Sequence, residues 1–177
     1  MLERRPAETS DRFLSTLERL LGLRSAELDE ALDQSADLVT QALGADKVDA
    51  FLYDPSSASL VARGTSRTPM GHKQHAIRMD RLPLANGGRT VEVFQTGKPR
   101  LTGRADLDPG ELRGITEGLG ICSMMCTPLG GDNDRRGILS VASSTADLWN
   151  EEDDLGGGSV SSTCSRPSVT RMATRSR

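Results

Sequence analysis

Apolar residues recur along this chain in two rhythms, and each predicts a different element. Between residues 10 and 43 the spacing is helical. Phe13, Leu14, Leu17, Leu20 and Leu21 follow Thr9-Ser10-Asp11, whose side chains suit a helix N-cap. After Gly22, residues Leu28, Ala31, Leu32, Ser35, Leu38, Val39, Ala42 and Leu43 fall at i, i+3, i+4 and i+7, with Gly44 as a C-terminal stop. The pattern predicts a helix over 10–21 and a second, over 26–43, that packs on the back of a sheet.

Further along, shorter apolar runs are separated by turn residues. Lys47 to Tyr53 and Ser59 to Arg63 read as two strands joined by Asp54-Pro55-Ser56-Ser57. The stretch from Gly64 to Gly71 reads as a polar loop, and His75 to Met79 as a weak third strand. Leu84 to Phe94 predicts a short helix, ended by Thr96-Gly97-Lys98-Pro99; Arg100-Leu101-Thr102 is a short extended piece. Asp108-Pro109-Gly110 carries the proline-near-N1 signature of a helix through Glu117. Finally Gly120 to Leu129 and Arg136 to Ser143 form two strands across Gly130-Gly131-Asp132-Asn133-Asp134, where Gly, Asn and Asp supply positive-φ positions. The order implies an α+β domain: one largely antiparallel sheet, helices behind it and irregular segments in front.

From Gly156 the periodicity stops. The segment Gly-Gly-Gly-Ser-Val-Ser-Ser-Thr-Cys-Ser-Arg-Pro has the composition of a disordered tail. The chain thus divides into an N-terminal helix and linker over 1–25, a domain over 26–155 and a tail over 156–177.

Composition narrows the function. With 36% hydrophobic and 3% aromatic residues among 177, the core must be assembled from Leu, Val, Ile, Ala and Met. A net charge of −3 with interspersed signs creates no field that would draw nucleic acid or an anionic membrane. No apolar run is long enough for a transmembrane helix, and the charged N-terminus does not read as a signal peptide, so a cytoplasmic location is the expectation. Three cysteines do not make a secreted disulfide framework.

Three stretches in this order carry a family likeness: Leu43-Gly44-Ala45-Asp46-Lys47-Val48 with Leu52-Tyr53-Asp54, then Val91 through Pro99, then Gly118 through Leu129. Together with the closing hairpin and Trp149-Asn150-Glu151-Glu152-Asp153-Asp154-Leu155, they resemble a GAF domain of the kind found in bacterial sensor histidine kinases and related two-component proteins. The resemblance implies a GAF-like antiparallel sheet, helices on its back face and a short-helix and loop segment over a front pocket. It also implies a C-terminal helix beside the first one, which the residues after Leu155 do not supply. Truncation or a reading-frame change near Leu155 is the expectation, with a dimer partner covering the exposed part of the sheet. The motifs of the cyclic-nucleotide, bilin and haem-binding GAF subclasses are not matched, and the cysteines do not follow the pattern of the GAF-fold methionine sulfoxide reductases.

Few residues suggest chemistry. Cys122 and Cys126 share a strand face but lie about 13 Å apart at strand rise, too far for a disulfide, which needs Cα atoms within about 7 Å. They read as small buried side chains, with Cys122 placed at the pocket and Cys164 in the tail. His72 and His75 have no nearby carboxylate or thiol cluster for a metal. His75 is the better ligand contact, because Ile77 would share its strand face. Asn86-Gly87-Gly88-Arg89 offers free N–H groups and a guanidinium. Met124 and Met125 point to opposite faces, so one can line a pocket. The candidate ligand-binding residues are therefore His75, Ile77, Arg89, Cys122 and Met124, with no catalytic or metal site and an unknown cofactor. The reading is a non-catalytic sensory module that binds an unidentified small molecule and signals through its terminal helices. The expected assembly is a homodimer, with the output domain outside this chain. The alternatives are a ligand-free dimerisation module and a thiol-based reductase on the same fold.

Overall fold

The computed structural model describes residues 14–20, 22, 27–131 and 134–149. Residues 14–20 are helical, within the helix predicted over 10–21; the Thr9-Ser10-Asp11 cap and the tail over 156–177 lie outside the described residues. Helix α1 (Leu28–Leu43) ends where the periodicity says it should. Gly44 takes φ 64°, ψ 34°, and its N–H closes on the Thr40 carbonyl, a left-handed cap that costs glycine nothing.

Six strands follow: β1 (Lys47–Asp54), β2 (Ser59–Thr65), β3 (Arg81–Pro83), β4 (Arg100–Thr102), β5 (Ser123–Gly131) and β6 (Asp134–Ser143). They form one sheet in the order β3-β2-β1-β6-β5-β4, with every neighbouring pair antiparallel. The α+β, GAF-like sheet expected from the sequence is the sheet observed. Register decides the faces. Val48 pairs with Val141 and packs with Ala36 of α1 on the back, whereas Phe51 pairs with Ile138 and belongs to the larger front core. Alternation along β1 therefore sends Lys47, Asp49 and Phe51 to the front.

Helix α1 is held to β2 and the segment just after it by an acidic stripe at helical spacing. Asp29 pairs with Arg63, Asp33 accepts the Thr65 N–H at 2.8 Å, and Asp37 accepts both the N–H and the guanidinium of Arg67 at 2.7 Å.

The front cover departs from expectation at three places. The predicted loop and third strand give way to a helix, α2 (Pro69–Ala76), before β3. Thr68 caps it by accepting the Gly71 N–H at 3.1 Å, and Pro69 opens its first turn. The signal was present but carried no apolar stripe, since the buried residues of α2 are Gly71 and Gln74. The predicted helix over Leu84–Phe94 splits into a 3-10 turn (Leu84–Asn86) and α3 (Arg89–Thr96), because Gly87 and Gly88 both adopt positive φ between them. The helix predicted from Asp108 forms only as a π-helix over Gly114–Leu119. Asp108 spends its carboxylate on the Gly110 N–H and on two arginines instead.

Candidate functional site

Between the front of the sheet and this cover lies a small cavity of about 20 Å3, enough for one or two water molecules. Its walls are apolar: Phe51 from β1, Leu82 from β3, Met124 from β5, Ile115 and Leu119 from the π-helix. Polar groups converge on it from four elements, namely Lys47 of β1, Gln74 of α2, Thr90 of α3 and Ser140 of β6.

The polar cluster is the unusual part. Lys47 and Asp49 form an ion pair with side chains 4% and 0% exposed. Gln74 completes a ring: its amide nitrogen donates to Asp49 Oδ1 at 3.0 Å, and its carbonyl accepts from Lys47 Nζ at 2.6 Å. Every member is satisfied, which is what a charge pair needs when taken out of water.

Beside the cavity, the Cys126 thiol donates to Ser140 Oγ at 3.6 Å. Burial pushes it up to about 11, with Ser140 and Thr90 only partly opposing the rise. A thiol so placed stays protonated at neutral pH. Cys126 is free and does not bridge Cys122. Glu111 is almost fully buried; its Oε1 accepts the N–H groups of Leu112 at 2.9 Å and Arg89 at 3.4 Å, while Oε2 has no partner. Burial raises the Glu111 carboxyl above its ordinary value. Nearby, Asp108 receives a fork from Arg89, both bonds at 2.8 Å, and a third from Arg100 at 2.7 Å. The Arg89 bonds hold Asp108 down to about 2.

Of the residues singled out from the sequence, Met124 lines the cavity. Cys122 is fully buried just ahead of β5, its N–H bonded to the Ser143 carbonyl, and does not border the cavity. His75 is half exposed and pairs through Nδ1 with Asp80 at 2.6 Å, and Ile77 is exposed. Both sit on the outer side because the segment is helical rather than extended. Arg89 turns away to Asp108 and Glu92. Sequence reasoning missed Lys47, Asp49 and Gln74: a Lys and an Asp inside an apolar strand were the available signal. Among the described residues, no group of three or more His, Cys, Asp or Glu could hold a metal ion, and no helix is long and apolar enough to cross a membrane.

Residues 27–155 match the family described as GAF domain. Compared with curated protein sequences, the chain has no significant match. Among solved structures, it is similar to a free methionine-R-sulfoxide reductase from Neisseria meningitidis in complex with its substrate, at 19% identity and TM-score 0.66, covering 88% of this chain and 84% of that one. It is similar also to the GAF domain of a phosphoenolpyruvate-protein phosphotransferase from Coxiella burnetii, at 18% identity and TM-score 0.63 over 82% and 83% of the two chains. The A. aeolicus nlh2 GAF domain in an inactive state has 12% identity and TM-score 0.63, over 83% and 86%. At such identities the likeness concerns the fold. It nonetheless corrects one expectation: because an enzyme stands among the structures of this shape, the fold gives no ground for calling the chain non-catalytic.

Proposed function

The chain belongs to the GAF domain family, and on that premise we propose that it is a sensory or regulatory module whose front cavity receives a small molecule. The observation that supports this reading best is the buried Lys47–Asp49–Gln74 ring, whose Lys47 and Gln74 line a largely apolar cavity. A core ion pair adds little stability over apolar residues of the same volume, whereas a few convergent polar groups within apolar walls are what a ligand site requires. The cavity as it stands holds only water-sized occupants. Entry therefore moves the cover formed by α2, α3 and the π-helix outward, and a ligand acts by preferring the opened arrangement over the closed one.

The response leaves on the other side of the sheet. There Leu101, Met125, Leu139 and Val141 border an open groove of about 430 Å3. We place a homodimer contact there and on the terminal helices, with an output domain of the histidine-kinase type outside residues 1–177, in a bacterial two-component setting.

The test is native mass spectrometry of the freshly purified chain, followed by thermal-shift screening against a panel of cellular metabolites. Mass lost on denaturation, or a saturable shift with one compound class, supports the reading. A dimer that carries nothing and responds to nothing replaces it with a ligand-free dimerisation module.

A further inference from the structure

The geometry points to a specific ligand chemistry: the Lys47–Asp49 pair is a recognition element for a carboxamide-type edge, and the Gln74 side chain is the occupant that now fills it. The ligand class is small molecules that carry a primary amide, a lactam or a ureide. This assignment rests on the reading of the cavity as a ligand site.

The ring of hydrogen bonds carries the argument. Gln74 presents one N–H donor and one carbonyl acceptor side by side, and each meets its opposite: the nitrogen donates to Asp49 Oδ1 and the carbonyl accepts from Lys47 Nζ. Lys47 and Asp49 are bonded to each other as well, so the pair presents a fixed acceptor and a fixed donor without net charge. Other ligand ends fit worse. A carboxylate satisfies Lys47 but sets two anions together at Asp49, and an ammonium group does the reverse at Lys47. A neutral donor–acceptor edge satisfies both at once, and with these groups nearly fully buried, an unmet one is costly.

The manner in which Gln74 is delivered makes it displaceable. It comes from α2, where only Gly71 and Gln74 are buried and where His72, Lys73 and His75 face solvent. Of its apolar side chains, Met70 packs half-buried against the front core while Pro69 and Ala76 are exposed, so a single methionine supplies most of the apolar contact that holds α2 down. The main bonds lost on lifting Gln74 are the two that an incoming amide restores. Phe51, Leu82, Met124 and Ile115 around the same cavity would then meet the apolar remainder of the ligand.

Chemical rescue tests the assignment. Gln74→Ala removes the resident amide, and propionamide, pyrrolidin-2-one, propionate and propylamine are then titrated separately while the unfolding temperature is followed. We expect a saturable rise with propionamide and pyrrolidin-2-one, and none with propionate or propylamine. Anything that binds only the folded state stabilises it, so if Gln74→Ala is unfolded alone, the same four compounds are scored by recovery of the folded circular-dichroism signal. Adding Lys47→Met to Gln74→Ala should abolish the rescue. Equal effects of all four compounds, or no effect of any, overturns the amide assignment. The two readings fail separately: unselective rescue rejects the ligand chemistry while a metabolite shift in the unmodified chain still supports a ligand site. Selective rescue without such a shift keeps the chemistry and rejects the sensory role.

Discussion

Arg89 in the first turn of α3 forks onto Asp108, 19 residues further along, with both bonds at 2.8 Å. This pair, shared with Arg100, ties α3 to the segment that leads into the π-helix and so holds two parts of the cavity cover in place. Charge-assisted forks of this kind are among the stronger hydrogen bonds in proteins, and Asp108 is largely shielded from solvent. Asp108→Asn should cost about 1–2 kcal/mol in urea unfolding at pH 7.

The same pair gives a pH signature. Asp108 titrates near 2 in the folded chain, below its unfolded value of about 3.9. Its contribution is therefore complete above pH ~4 and lost as pH falls toward 2. The stability difference between the original chain and Asp108→Asn should shrink across that window, as followed by urea titrations at successive pH values. A difference that stays constant down to pH 2 would sink the assignment.

Glu111 has the opposite sign. Burial raises its folded-state value, so the folded chain is penalised for ionising it, and the penalty grows as pH rises through the unfolded value. Glu111→Gln should gain stability relative to the original chain between pH 4 and pH 7. Its Oε1 contacts with the N–H groups of Leu112 and Arg89 are ones an amide carbonyl can keep.

Gly71 lets α2 approach the sheet. A Cβ there would stand 2.1 Å from the Ser66 carbonyl oxygen, and that oxygen is backbone and cannot turn aside. Gly71→Ala should destabilise the chain by about 1–3 kcal/mol. It should also speed hydrogen exchange in α2 ahead of the rest of the sheet. Uniform loss of protection would instead mean that α2 is not a separately movable cover.

Cys126 should resist alkylation. Its thiol is buried and pushed up to about 11, so at neutral pH the reactive thiolate is scarce and shielded. Iodoacetamide labelling with peptide mass spectrometry should leave Cys126 unmodified in native buffer and label it in denaturant. Rapid native labelling would show that the front cover already opens without a ligand.

The sequence by itself determined the elements whose residues repeat. Helical spacing marked α1 and its Gly44 stop, alternation and turn chemistry marked β1, β2 and the β5–β6 pair, and the order of these pieces was enough for the family and the sheet. Local rules reach that far because one apolar face, read at the right period, dictates burial. They fail for α2, where the buried face is a glycine and a glutamine, and the polar run looks like a loop with a strand behind it. They fail again at the candidate site. Lys47 and Asp49 stand 27 and 25 positions from Gln74, and no local period links them. Only the sheet register, which turns both β1 residues to the front, and the docking of α2 over that face bring the three into one ring. Burial then selects them, since polar groups removed from water must find one another.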